Sequence, residues 1–237
     1  MTLPSPTDEH PDASPGGNDS VKEEAARYAL LRRIGPALRH HMAGTLQPIS
    51  MISAIMERRL QADPPDLASL RESSKSISSL SRSAGAASIN LITWVAPKEN
   101  GVVALQAGVD ECVALLRTDL AFRGFNLVND ITANDNATTS VFALRTVLTA
   151  ALLTLTDAST APASVALSAV AEAGLTRVRI DVSSKDGLSG SDDIRSYRKL
   201  SWDDLSLLAA AEQVSLSHGA DWVELTFSAL ERSDVRF

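Results

Sequence analysis

The sequence predicts an α+β chain: an N-terminal antiparallel helical hairpin that forms a four-helix bundle as a dimer, then an α/β sandwich. Two observations predict it. From Leu31 to Val95, apolar residues recur at spacings of three and four, the period of a helix with one buried face. Beyond residue 100, short runs of period two alternate with apolar runs of helical length, as strands interleaved with helices do.

Residues 1–20 are rich in Pro, Asp, Ser and Gly. They bury too little apolar surface to offset ordering entropy and read as a disordered tail. The hairpin is expected over 21–96. Its first helix carries the stripe Leu31, Ile34, Leu38, Met42, Thr45, Ile49, Ile52, Met56 and Leu60, with a bend or interruption expected at Gly35-Pro36. Asp63-Pro64-Pro65-Asp66 reads as the turn, with Asp66 as N-cap of the second helix. That helix lines Leu70, Ile77, Leu80, Ala84, Ala87, Leu91 and Val95 along one face. Two helices cannot cover both stripes by themselves, so a second copy is expected to complete the bundle.

The sandwich is expected over 97–232, before a short tail at 233–237. Strands are expected at 102–105, 125–131, 164–170, 177–183 and 222–227, and helices at 109–122, 141–158 and 202–217. Ser201 is the expected N-cap of the last helix, and a hairpin is expected to join Val165 and Val182.

Composition narrows the function classes. A net charge of −7 over 237 residues argues against nucleic acid or an anionic membrane as the main partner, since both demand a basic face. The single cysteine, Cys112, lies in an apolar run and has no partner for an internal disulfide; it reads as a core residue in a reducing compartment. MTLPSPTDEH has neither the basic lead nor the apolar run of a signal peptide. No stretch reaches about 18 uninterrupted apolar residues, so a soluble, cytoplasmic protein is expected.

Two of the four histidines are adjacent, in the stretch Arg39-His40-His41-Met42-Ala43-Gly44-Thr45-Leu46-Gln47-Pro48-Ile49. At about 100° per residue, His40 falls about 160° from the centre of the apolar stripe and His41 about 60° from it. His40 is therefore expected in solvent and His41 on the flank of the seam, toward a neighbouring helix. The two rings diverge, and neither has a His or Cys four residues on, so no metal site is expected.

This arrangement resembles the dimerisation and catalytic domains of bacterial sensor histidine kinases. Their first helix carries a pattern like His-Asp-Leu-x-Asn-x-Leu-x-x-Ile with an exposed phosphoacceptor histidine. The resemblance sets His40 on the phosphoacceptor, Met42 on the apolar position, and Leu46 and Ile49 on core positions. His41 replaces the acidic neighbour, which leaves it as the proton acceptor or orienter, without that residue's negative charge. Pro48 stands eight residues past His40, where the family often has a proline at five.

The same resemblance implies a sandwich of the histidine kinase ATPase type, but degenerate. The family's two box asparagines fall on Ala150 and Thr154, and a threonine hydroxyl is a poor magnesium ligand. Its Asp-x-Gly-x-Gly element meets Ser184-Lys185-Asp186-Gly187-Leu188-Ser189-Gly190, and its glycine-rich turn meets Leu205 to Leu208, without glycine. The expected function is thus a phosphorelay histidine phosphotransferase without ATP-dependent autokinase activity and with no cofactor of its own. A homodimer, a response-regulator receiver domain and an upstream histidine kinase are the implied partners. A non-catalytic docking module and a divergent active kinase are the alternatives.

Overall fold

A computed structural model describes residues 15–95, 101–132, 137–172, 174–184 and 198–230. Helix α1, Pro15–Leu60, and helix α2, Leu67–Val95, form the antiparallel hairpin. The Asp66 carboxylate accepts from the backbone N–H groups of Ala68 and Ser69 at 3.0 and 3.1 Å, the N-cap expected of it.

Two expectations for α1 need correction. Residues 15–20, expected in the disordered tail, form its first turns; Pro15 opens the helix, where its missing N–H costs nothing. Gly35-Pro36 does not interrupt the helix, because α1 runs through both Pro36 and Pro48. Each proline removes one helical hydrogen bond. Around Pro36, Ile34 (1% exposed) and the ion pair of Arg33 with Asp157 anchor the helix on its neighbours.

Strand β1 (Val102–Ala104) leads into α3 (Leu105–Phe122) and pairs antiparallel with β3 (Thr138–Ser140). Strand β2 (Phe125–Asn129) lies parallel to β4 (Ala163–Glu172). The expected hairpin follows: β4 pairs antiparallel with β5 (Leu175–Ser184), Val165 opposite Val182. Gly174, at φ +81°, supplies the left-handed residue at its turn. Strand β7 (Trp222–Ser228) and edge strand β6 (Ser215–His218) complete a five-stranded mixed sheet of order β2-β4-β5-β7-β6.

Helix α4, Val141–Ala158, is long and apolar enough to cross a membrane by length and composition, yet 78% of it is buried inside the fold. Its Leu144–Leu148 segment is a π-helical turn. Helix α5, Trp202–Ala211, starts as expected: Ser201 and Asp204 form a reciprocal capping box. It ends sooner than expected. Gln213, at φ +56°, turns the chain, and 215–218 join β7 as a strand instead of extending the helix. Ladder bonds to β7 and the half-buried Leu216 outweigh the helical reading of that stretch.

The hairpin and the sandwich share one core. Ala26, Ala29, Leu30 and Ile34 of α1 and Trp94 of α2 join the cluster built by α3, α4, α5 and the sheet. Ion pairs reinforce the junction. Arg33 grips Asp157 of α4 through two hydrogen bonds of 2.7 and 2.9 Å, and Arg123 binds the same carboxylate at 2.6 Å. Arg27 reaches Glu212 at 2.6 Å. The π turn in α4 presents Arg145 to Glu111 of α3 and to Asn90 and Thr93 of α2, with its guanidinium 5.0 Å from the Trp94 ring centre. Cys112 is fully buried, which pushes its thiol up to about 12, so it stays protonated and unreactive.

Asp204 gives the fold an acid-sensitive cap. Burial works to raise its pKa. That effect is outweighed by the Arg198 guanidinium (2.6 and 3.1 Å), the Ser201 backbone N–H (2.8 Å) and the Ser201 hydroxyl (2.9 Å), and the carboxyl lies below its ordinary 3.8. A depressed carboxyl contributes stability that is complete above its unfolded pKa and is lost as pH falls through the folded one. Asp204→Asn is expected to lower stability by about 1 kcal/mol at neutral pH. Urea titrations should show the two proteins converging as pH falls below the ordinary carboxyl value and Asp204 becomes protonated.

Candidate functional site

The histidine pair lies on a groove between the two parts of the molecule. Pro36, Ala37, His40, His41, Gly44 and Thr45 of α1 form one wall, and Ala114, Leu115, Thr118, Asp119 and Phe122 of α3 form the other, around about 410 Å³. On both helices the lining residues alternate steps of one and three, so each wall is one continuous helix face. The groove runs along the side of α1 turned away from the centre of the hairpin stripe. His40 and His41, about 100° apart on the helix, flank its midline.

Both imidazoles are exposed. For His40 this agrees with the helical periodicity. His41 is less enclosed than its place on the flank of the seam suggested, because the neighbour it faces is α3 across an open groove. Thr45 turns its hydroxyl back onto the helix, donating to the carbonyl of Met42 at 2.9 Å. Phe122, 77% exposed at the end of α3, adds an apolar ring to the rim.

The α3 wall was not foreseen from the sequence. Its signal was available, because Ala114, Thr118 and Phe122 repeat every four residues on the side of α3 opposite the buried Val109, Cys112, Val113, Leu116 and Leu120. What the sequence does not say is which helix that face meets.

The positions compared with nucleotide-binding elements lie elsewhere. Ala150, Thr154 and Leu205 are 0%, 2% and 0% exposed. Leu205 to Leu208 falls inside α5 and forms no loop. The Thr154 hydroxyl is buried and finds no hydrogen-bond partner among the described residues. Ser184 ends β5 and is exposed, while Asp186-Gly187 lies outside the described residues. Among the described residues, no group of three or more His, Cys, Asp and Glu side chains is arranged to hold a metal ion.

His218, expected near a helix C-terminus, ends strand β6 instead. It stacks on Trp202 with ring centres 3.9 Å apart and planes 3° from parallel. The pair packs β6 against the start of α5 and has no part in the groove.

No protein-family model matches the chain, and no curated protein does. Among solved structures it is similar to the catalytic domain of the histidine kinase ThkA, at 10% identity and TM-score 0.43, over 56% of this chain and 97% of that one. It is similar to the Acinetobacter baumannii histidine kinase AdeS, at 14% identity and TM-score 0.42, over 78% and 98% of the two chains. It is also similar to ThkA in complex with the response regulator TrrA, at 14% identity and TM-score 0.40, over 92% and 67%. At such identities the likeness assigns no chemistry to individual residues.

Proposed function

We propose that the chain is a two-component phosphorelay protein. His40 accepts a phosphoryl group from the aspartate of one receiver domain and hands it to another, and the chain's own sandwich takes no part in ATP chemistry. The observation that carries this reading is the contrast between an exposed His40 on an open groove and the buried Ala150, Thr154 and Leu205.

The transfer asks little of the protein. The His40 Nε2 lone pair attacks phosphorus, the bond from phosphorus to the receiver's carboxylate oxygen breaks, and its electron pair stays on that carboxylate. The reverse sequence loads the next receiver. Magnesium comes with the receiver, so the chain contributes an accessible imidazole on a rigid helix and a surface to dock on. The shared core and the Arg33–Asp157–Arg123 cluster support that rigidity. An upstream histidine kinase would charge the first receiver, in a cytoplasmic relay.

The test is incubation with a receiver domain carrying labelled phosphate on its aspartate. Label that moves to this chain, survives alkali and is lost in acid is the expected result. A receiver that binds but transfers nothing would favour the docking-module alternative, for which His41 in place of an acidic neighbour speaks.

The hairpin is proposed to dimerise. Of its α1 stripe only Ile34 is fully buried; Leu38, Thr45, Ile49, Ile52 and Met56 are half-buried and Met42 and Leu60 exposed. Met42 and Leu46 lie on the flank of the stripe away from the groove, where a second copy would cover them without blocking His40. Leu46→Glu is expected to weaken self-association more than tenfold, since burying one leucine is worth about 1.5–3 kcal/mol. Sedimentation equilibrium would read this, and an unchanged dimer would place the interface elsewhere.

A further inference from the structure

We propose that Asp119 is the positioning residue of the His40 imidazole, a carboxylate supplied by the sandwich in place of one on the histidine's own helix. The inference rests on the phosphorelay reading and adds to it a role for α3. Three titratable groups line the groove: His40 and His41 from α1, and Asp119 from α3. Asp119 is the lone carboxylate among its lining residues; the others on its wall are Ala114, Leu115, Thr118 and Phe122.

The chemistry calls for such a group. An imidazole attacks through the nitrogen that carries a lone pair, so the proton must sit on the other ring nitrogen. An acceptor facing that N–H fixes the tautomer and stabilises the positive charge that develops as the new bond forms, the logic of any nucleophile whose base is oriented by a third group. His41, the neighbour in sequence, diverges from His40 by about 100° around the helix and, as an imidazole, brings no negative charge. Asp119 brings the charge and is half-buried. Its backbone is fixed, since the Asp119 carbonyl accepts from the N–H of Arg123 at 3.3 Å. Arg123 in turn is tied to Asp157, so the wall bearing Asp119 is anchored to the same carboxylate that holds α1 through Arg33. In the transfer Asp119 accepts the Nδ1–H of His40, directly or through one water, while Nε2 bonds to phosphorus.

The test uses the full chain and phosphoramidate, a small donor that needs no docking. Nε2 displaces ammonia at phosphorus, and the P–N bond of the donor breaks. Asp119→Asn is expected to slow His40 phosphorylation about tenfold, and Asp119→Glu to restore most of the rate. Nitrogen NMR of the His40 ring should show the Nδ1–H tautomer losing population in Asp119→Asn, a change that a purely structural role would not produce. Circular dichroism confirms that the variants fold. Wild-type rate and tautomer in Asp119→Asn would overturn the role of Asp119 alone. Labelling that persists in His40→Ala would overturn the relay reading beneath it.

Discussion

His40→Ala is expected to abolish phosphoryl acquisition from a labelled receiver, by more than about a thousandfold, because no other group replaces a lost nucleophile in kind. His41→Ala is expected to keep acquiring phosphate on His40 with a rate lowered by no more than about tenfold, the scale of a weak proton-transfer or orienting partner. The two substitutions separate the adjacent rings cleanly. Both are exposed and sit on a single helical stretch, so neither change should alter folding by much. If His41→Ala carries the loss and His40→Ala does not, the acceptor is the other ring and the groove has to be read from its opposite flank.

The largest stability effect is expected at Asp157. Its side chain is 3% exposed and faces two arginines, Arg33 from α1 and Arg123 beyond α3, themselves 9% and 14% exposed. Arg123 also donates to the Thr156 carbonyl at 3.3 Å. Asp157→Ala leaves two largely buried cations facing each other without a counter-ion, a change worth about 3–5 kcal/mol. Urea denaturation would read it as a lower midpoint with little change in slope. A loss under about 1 kcal/mol would mean that water reaches both guanidinium groups. The cluster matters for function as well as stability, because it fixes α1 and α3 to the same carboxylate and so sets the width of the groove between them. Phosphotransfer in Asp157→Ala should therefore fall even below the temperature at which it unfolds.

Much of this was legible in the sequence, for identifiable reasons. Hairpin, linker position and most strands follow from period and punctuation: Asp66 caps α2, Ser201 caps α5, and Val165 and Val182 pair in one hairpin. The solvent exposure of His40 follows from its angle to the apolar stripe. Residues 215–218 form a strand because β7 offers them a free edge, and residues 15–20 are helical although their composition is that of a tail. The groove itself is a tertiary fact, since Asp119 and His40 are 79 residues apart in the sequence and no local pattern links them. The π turn that points Arg145 at α2 leaves no mark in the periodicity of a helix apolar on nearly every side.

Phosphate is expected to arrive on His40 from a receiver and not from ATP. The measurement is a pair of parallel incubations of the wild-type chain, one with labelled ATP and magnesium, the other with a labelled phosphoreceiver. Acid-labile, alkali-stable label on His40 in the second incubation and none in the first is the predicted result. Label acquired from ATP alone would contradict it, and would mean that the buried surroundings of Ala150, Thr154 and Leu205 open to admit a nucleotide.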